Sequence, residues 1–194
     1  IAAPMNEPEL RNAMYTALLA GGPFMIRYPR GHGEGLPWRG MPFEALPVGR
    51  GRRLREGRDV ALVTVGTVGN AAARAAERAA AEGGEAAHYD LRWVKPLDVD
   101  AIRKAAKLPL VVTIEGGVIS GGAGEGVLGE LARMRANVPA VTLGIDDAFV
   151  SQGKTDLLLR DLAVQFGARF ELVVFAEHRH RIVYGDGQFP VLEL

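Results

Sequence analysis

Two arginines in one short run are the residues of this chain best suited to hold a ligand. Residues 26–31 read Ile-Arg-Tyr-Pro-Arg-Gly and follow directly on the apolar residues 23–26. The proline fixes its own φ and biases the residue before it away from helix, so Arg27 and Arg30 flank a stiff, extended strand exit. Guanidinium groups match phosphate and carboxylate geometry. The pattern indicates an anion site for a phosphorylated substrate; two surface arginines that close a sheet edge are the structural alternative.

A glycine-rich segment is the second place where a phosphate could bind. Residues 113–126 predict a strand, a loop and a helix start, an order that can hold a phosphate at the helix N-terminus. No Gly-Lys-Ser/Thr follows, and Val127 stands where a dinucleotide fingerprint needs Gly or Ala. Glu125 adds negative charge to the same helix end. These features favour tight backbone packing over phosphate binding.

Two further motifs carry weaker signals. In residues 92–98, Pro96 ends a strand and Asp98 is suited to cap the next helix, so a structural role is favoured. His178 and His180 alternate on a predicted strand and share one face. Two histidines can begin a metal site, but an exposed basic strand face is favoured because no carboxylate or thiol partner is evident.

Composition excludes several classes of function. Lys plus Arg and Asp plus Glu are 23 each, so no overall charge attracts nucleic acid or an acidic membrane surface. The chain has no cysteine, which removes thiolate chemistry and agrees with a cytoplasmic setting. No apolar run approaches the roughly 18 residues of a membrane span. The first residue is Ile, which suggests a piece of a longer polypeptide.

The order of predicted elements defines the fold class. Residues 6–19 predict a helix with Asn6 as its N-cap and Pro8 in its first turn. The Gly- and Pro-rich residues 32–47 predict an interdomain linker. Strands are predicted over residues 48–55, 60–65, 85–91, 110–114 and 140–143, and helices over 68–81, 99–106, 125–135 and 155–162. This alternation predicts an α/β fold with a mainly parallel sheet and helices on both faces.

The motifs as an ordered set carry a resemblance that none carries alone. Ala-Pro-Met-Asn-Glu at residues 3–7 is followed by Ile-Arg-Tyr-Pro-Arg-Gly at 26–31, Asp-Leu-Arg-Trp-Val-Lys-Pro-Leu-Asp at 90–98, and Gly-Gly-Ala-Gly at 121–124. In this order and spacing the chain resembles the C-terminal portion of the 1-deoxy-D-xylulose-5-phosphate synthase family, within the transketolase superfamily. The resemblance extends from residue 1 to about residue 162.

The resemblance implies a domain organisation and an activity. Residues 1–31 would end a pyrimidine-binding α/β domain, 32–47 would be the linker, and 48–163 a transketolase-like C-terminal domain. Enzymes of this family are homodimers that use thiamine diphosphate and Mg²⁺ to condense pyruvate with D-glyceraldehyde 3-phosphate. They release CO2 and supply precursors of isoprenoids, thiamine and pyridoxal. The family's substrate-phosphate arginine falls on Arg30, and its neighbour Arg27 is a weaker candidate.

The resemblance also implies what these residues lack. The family's pyrophosphate-binding domain and its cofactor-protonating Glu fall outside them, so we expect no cofactor or metal on this chain alone and no turnover without the remainder of the enzyme and its dimer partner. Gly185-Asp186-Gly187 resembles the start of the family's magnesium motif, but no Asn follows and a hairpin turn is favoured. Residues 164–194 are an atypical tail predicted as a hairpin. Alternative interpretations are a transketolase, a 2-oxo-acid dehydrogenase β-subunit, or a non-catalytic dimerisation module.

Overall fold

The structure is a computed structural model that describes residues 1–153 and 157–158. The four helices of this part are α1 Glu7–Leu19, α2 Val68–Ala81, α3 Val99–Ala105 and α4 Ala123–Arg133. The five strands of this part are β1 Arg52–Arg55, β2 Val60–Val65, β3 Ala86–Asp90, β4 Val111–Val118 and β5 Ala140–Ile145. The predicted hairpin of residues 164–194 and the histidines His178 and His180 lie outside the described residues, as does most of the predicted helix 155–162.

The strands form one sheet in the order β1-β3-β2-β4-β5. β3, β2, β4 and β5 are parallel, and β1 joins β3 antiparallel at one edge. β1 is four residues long, all Arg except Leu54, and its register shifts between Arg53 and Arg55. All six residues of β2 are buried, as expected for a central strand of a covered parallel sheet. The predicted mainly parallel α/β fold is confirmed.

Alternate side chains of the strands pack into two cores on opposite faces of the sheet. Val63 of β2 belongs to one buried cluster with Ile102 of α3 and Val127 of α4. Leu62, the preceding residue, belongs to the other cluster with Ala76 of α2. Because successive side chains of a strand point to opposite faces, helices must cover both sides of β2. The prediction of helices on both faces is therefore correct.

The apolar residues 23–26, predicted as a strand, form only an isolated bridge in the described part of the chain. Ile26 pairs in parallel with Ala2, which also pairs antiparallel with Trp93. The pairing cannot lengthen because Pro4 has no N–H and ends the short partner segment. The N-terminal residues thus lie between the segment that carries Arg27 and the segment that follows β3.

Helix α1 buries small and polar side chains and exposes its large apolar ones. Asn6 caps it as predicted, with its side-chain oxygen accepting from the Glu9 N–H at 3.2 Å. The apolar side of the helix faces the surface: Met14 is 57% exposed and Leu18 is 83% exposed. The buried residues are Glu9, Ala13 and Thr16. The helix is therefore held to the sheet by polar contacts rather than by its hydrophobic stripe.

The segment predicted as a linker, residues 32–47, has no helix or strand and lies along α1 in the same direction as the helix. Contacts fasten it at successive turns of α1: Gly35 N–H to the Glu7 carboxylate at 2.7 Å, Glu44 N–H to the Asn12 side-chain oxygen at 3.2 Å, and Leu46 N–H to the Thr16 hydroxyl at 2.8 Å. The Arg11 guanidinium also stacks over the Phe43 ring at 3.6 Å. These contacts hold residues 32–47 against α1, and we call this segment the strap.

A buried ionic cluster joins α1 to the edge of the sheet. The Glu9 carboxylate pairs with Arg92 through two nitrogens, at 2.7 and 2.9 Å, and with Arg52 of β1 at 2.9 Å. Arg52 also pairs with Asp90 of β3 at 3.1 Å, and the Arg92 backbone N–H donates to the same Asp90 carboxylate at 3.1 Å. Burial is the main cause that raises the pKa of Asp90, although Arg52 opposes it. We call these four residues the Glu9 clasp.

We expect Glu9→Ala to destabilise the chain strongly. The substitution leaves the Arg92 and Arg52 guanidinium groups without their shared carboxylate, and breaking a buried pair typically costs about 3 kcal/mol or more. Chemical denaturation monitored by circular dichroism measures the change in unfolding free energy. The control is Glu56→Ala, because Glu56 pairs with Arg53 on the surface and is 74% exposed. A surface pair contributes little, so equal losses in the two variants would contradict a buried clasp.

The buried His88 should make the stability of the folded chain depend on pH. Its ring is 1% exposed and its Nε2 lies 2.8 Å from the Thr64 hydroxyl. Burial, with a smaller effect of the Arg52 charge, lowers the pKa of His88 from 6.5 to about 4. The folded chain keeps His88 neutral at pH values where the unfolded chain binds a proton. Stability from this residue is therefore present above pH 6.5 and lost as pH falls toward 4, by up to about 3 kcal/mol.

Denaturation of the wild type and of His88→Gln across this pH range measures the effect. The raised pKa of Asp90 acts in the opposite direction, because protonation of Asp90 favours the folded state as pH falls. Both proteins retain Asp90, so the difference between their pH profiles isolates His88. Parallel profiles would show that His88 makes no such contribution.

Candidate functional site

Arg27 reaches from the N-terminal segment to the carboxyl ends of the parallel strands. Its backbone N–H donates to the Ala2 carbonyl at 2.8 Å, which holds the main chain of Arg27 against the N-terminal residues. Its Nη2 donates to the Gly116 carbonyl of β4 at 2.6 Å. Gly116 follows Glu115, which is the register partner of Val65 at the carboxyl end of β2. The guanidinium therefore lies where β2 and β4 end side by side.

Arg30 has a different environment. Both arginines are exposed, but no hydrogen bond or ion pair connects the Arg30 side chain to the part of the chain that the structure describes. Gly31 follows with φ of +149°, a region that favours glycine, so the backbone turns away directly after Arg30. Tyr28, which stands between the two arginines, is also exposed. Of the two predicted substrate-binding residues, Arg30 keeps its full donor set for an external anion and Arg27 does not.

The glycine-rich loop is packed around a carboxylate that sequence reasoning missed. Glu115 is buried, and its carboxylate accepts from the Ala123 N–H at 3.0 Å and from the Gly124 N–H at 2.8 Å. A Cβ on Gly122 would come within 2.4 Å of this carboxylate, and one on Gly124 within 2.7 Å of the Thr113 hydroxyl. The predicted tight backbone packing is confirmed. A charged residue that ends an apolar strand before a glycine-rich helix start was the signal available in the sequence.

The motif of residues 92–98 has the structural role that was favoured. Asp98 caps α3, accepting from the Ala101 N–H at 2.9 Å, and it also accepts from the Gly51 N–H at 2.8 Å. Trp93 is buried and packs edge-on against Phe24 with the ring centroids 5.6 Å apart. The motif thus joins β3, α3 and the N-terminal segment. The remaining lone histidine of the described part, His32, is exposed.

The described residues do not fit thiamine diphosphate or its magnesium ion. The N-terminus of α4, the position where a glycine-rich loop would receive a diphosphate, already holds the Glu115 carboxylate. Among the described residues there is no group of three or more His, Asp or Glu side chains placed to hold a metal ion. None of the helices in the described part has the length and apolar character needed to cross a membrane.

Comparisons with known proteins agree with this architecture. Residues 49–166, more than half of the chain, match the model of the transketolase C-terminal domain. One solved structure superposes with a TM-score of 0.75 at 27% identity. It is described as "Split gene transketolase, inactive beta4 tetramer", where beta4 refers to the assembly and not to a strand. The superposition covers 90% of this chain and 57% of that one. The chain belongs to the transketolase C-terminal domain family.

Two similar curated proteins of different organisms carry the same name. The chain is 46% identical over 156 residues to 1-deoxy-D-xylulose-5-phosphate synthase of Bacteroides thetaiotaomicron, covering 79% of this chain and 24% of the relative. It is 42% identical over 166 residues to the synthase of Chlorobaculum tepidum, covering 84% of this chain and 26% of that protein. The resemblance seen in the sequence is confirmed. The chain spans about a quarter of the length of the curated relatives it matches.

Glu115→Ala tests the carboxylate at the start of α4. The substitution leaves the Ala123 and Gly124 N–H groups buried without acceptors, and each such loss costs about 1–3 kcal/mol. Equilibrium unfolding in denaturant measures it. The matched control is Glu125→Ala in the first turn of α4, where an exposed carboxylate accepts from the Gly121 N–H at 2.8 Å and water can replace it. A control loss as large as that of Glu115→Ala would argue against a buried cap.

Proposed function

We propose that this chain serves as the C-terminal part of a 1-deoxy-D-xylulose-5-phosphate synthase. Such an enzyme is a transketolase-type transferase that joins pyruvate to D-glyceraldehyde 3-phosphate and releases CO2. The support is the identity of 42–46% to proteins of that name, together with the match to the transketolase C-terminal domain. The whole enzyme would work with thiamine diphosphate and Mg²⁺, as a homodimer in the cytoplasm. Its cofactor site would lie outside the described residues.

Arg30 would bind the phosphate of the acceptor aldehyde. The observation that carries this role is the contrast between the two arginines: the Arg27 guanidinium donates to the Gly116 carbonyl at 2.6 Å, whereas Arg30 has no partner in residues 1–153 and 157–158. An unpaired guanidinium at a proline-stiffened exit can grip a phosphate through two parallel hydrogen bonds. Arg27 remains the weaker candidate for substrate contact, because one of its nitrogens is already used.

The surface of the N-terminal segment supports a role within a larger enzyme. The apolar side of α1 is exposed, with Met14, Leu18 and Leu19 more than half accessible. Met25 and Tyr28 add exposed apolar area close to the two arginines in sequence. Large apolar side chains exposed together on one helix are typical of an interface. Its occupant in the proposal is the remainder of the pyrimidine-binding domain, to which residues 1–31 would belong, and that remainder would also supply the groups that activate the cofactor.

The purified 194-residue chain provides a direct test of this division of labour. We expect no turnover of pyruvate with D-glyceraldehyde 3-phosphate, and no heat on titration with thiamine diphosphate and Mg²⁺. The complete enzyme should show both. Turnover by the chain without any partner would overturn the proposal that its cofactor site lies elsewhere. Reading the coding sequence upstream of Ile1 for a Gly-Asp-Gly motif followed by Asn tests the same point independently.

Arg30→Ala in the complete enzyme should raise the KM for D-glyceraldehyde 3-phosphate far more than the KM for pyruvate. Removing a charged hydrogen bond costs about 1.5–3 kcal/mol, which corresponds to a rise of roughly 10- to 150-fold. Steady-state kinetics with each substrate varied in turn measures the split. Arg39→Ala is the control, because Arg39 stacks on Trp38 within the strap and has no proposed contact with substrate. Equal effects of Arg30→Ala on both KM values would indicate a folding defect instead.

A second candidate function is a non-catalytic assembly module. Two observations favour it: the exposed apolar side of α1, and a structural neighbour that is described as an inactive β4 tetramer. Sedimentation equilibrium of the purified chain separates the candidates. A stable oligomer that never binds thiamine diphosphate, even when mixed with the remainder of the enzyme, would favour the assembly module. A chain that completes an active synthase favours the first proposal.

A further inference from the structure

The sheet topology marks one crevice where an open α/β fold ordinarily binds a ligand. From β2 the chain crosses through α2 to β3 on one side, and it then returns through α3 to β4 on the other side. The carboxyl ends of β2 and β4 therefore border the point where the strand order reverses. In this chain the position is taken by a side chain from far away in sequence: Arg27 lies against Gly116, 89 residues further on.

The crevice has the geometry of a guanidinium site. The Gly116 carbonyl accepts from Arg27 Nη2 at 2.6 Å. A Cβ built on Gly66, which follows β2, would lie 3.9 Å from Arg27 Nη1, and Cβ atoms on Gly116 and Gly117 would lie 4.0 and 3.8 Å from Nη2. The exposed guanidinium thus contacts β4 through the Gly116 carbonyl and lies beside the backbone of Gly66 at the end of β2. We call the crevice formed by Gly66, Gly116 and Gly117 the guanidinium socket.

The charge around the socket suits a cation and not an anion. The Glu115 carboxylate lies 3.3 Å from the Cβ position of Gly117, on the same strand end that the guanidinium contacts. Two backbone N–H groups hold this carboxylate, so it is fixed in place. A carbonyl oxygen and a nearby carboxylate attract a positive charge and repel a phosphate. The carbonyl and carboxylate oxygens of β4 at this switch point therefore favour a cation such as the Arg27 guanidinium.

We propose that Arg27 is a positioning residue, held in the guanidinium socket so that the segment carrying Arg30 is fixed relative to the sheet. Only Tyr28 and Pro29 separate the two arginines, and the proline limits how far Arg30 can move once Arg27 is held. The Arg27 backbone, paired with the Ala2 carbonyl at 2.8 Å, provides the second point of attachment. The socket itself stands on geometry alone; the consequence for Arg30 rests on the proposed function.

The first experiment measures the thermal unfolding midpoint of the chain in three variants: Arg27→Ala, Arg27→Lys and Arg30→Ala. Arg27→Ala should lower the midpoint by about 2–4 °C, a typical shift for the loss of one modest interaction in a domain of this size. Arg27→Lys keeps the charge but not the planar fork, so it should fall between Arg27→Ala and the wild type. Arg30→Ala should leave the midpoint unchanged. Equal midpoints for Arg27→Ala and Arg30→Ala would overturn the socket.

A second experiment adds guanidinium chloride at low millimolar concentration to Arg27→Ala, which lacks the guanidinium group of Arg27. Below denaturing concentrations the ion should enter the vacated socket and raise the midpoint of Arg27→Ala by about 1–2 °C once its concentration exceeds the dissociation constant. Sodium chloride at the same ionic strength is the control for screening. The wild type and Arg30→Ala should show no such rise. A rise shared by all variants, or no rise in Arg27→Ala, would show that no guanidinium site exists there.

The complete enzyme then tests the positioning role. Arg27→Ala should raise the KM for D-glyceraldehyde 3-phosphate, and guanidinium should partly restore it, whereas Arg30→Ala should not respond to guanidinium. An unchanged KM in Arg27→Ala, with the midpoint shift and its rescue intact, would overturn positioning while leaving the socket in place. An unchanged KM in Arg30→Ala would instead overturn the proposed phosphate contact, so the two failures are distinguishable.

Discussion

The buried carboxylate of Glu9 is the interaction on which the placement of the N-terminal segment depends. A carboxylate removed from water must be paired, and its two partners, Arg52 and Arg92, come from β1 and from the turn after β3. The pairing requires β1 to lie beside β3, as the register of Arg52 opposite Asp90 shows. Because α1 is attached through Glu9, the strap along that helix and the run that carries the two arginines follow the same placement. The ionic pairing of Glu9 therefore sets the orientation of the first quarter of the chain together with a small apolar cluster of Ala2, Ala13, Leu46 and Trp93.

The sequence predicted the parallel domain well because there each local signal agreed with the global fold. β2 and α2 have the predicted bounds, since a continuous apolar run between turn residues and an alanine-rich stretch leave little choice. The orientation of α1 could not be predicted. Hydrophobic periodicity identifies a helix but assumes that the apolar face is buried, and here long-range partners for Glu9 reverse the faces. The strap was predicted as an interdomain linker because its lack of periodicity was visible, whereas its contacts with α1 were not.

The residues of the candidate site were likewise predictable from the sequence only in part. Local stereochemistry was sufficient to single out Arg27 and Arg30, because a proline between two arginines is readable in one sequence. Their different environments were not readable, since the acceptor of Arg27 is a backbone carbonyl contributed by a strand far along the chain. Glu115 was missed for a similar reason: its partners are backbone N–H groups, which leave no trace in residue type. The glycines around it were the indirect signal, because they leave room for its carboxylate.

The short, arginine-rich strand β1 affects whether the sheet can pair edge to edge with another chain. A sheet edge with free N–H and C=O groups can template pairing with another chain, and parallel sheets offer long, regular edges. Here that edge is covered by a strand of only four residues, three of them arginine, with a register irregularity in its middle. Repulsion between like charges and a locally broken ladder both oppose the addition of a further strand. The chain is therefore protected against edge-to-edge aggregation on that side, and contacts made there with other molecules must use side chains rather than a continued backbone ladder.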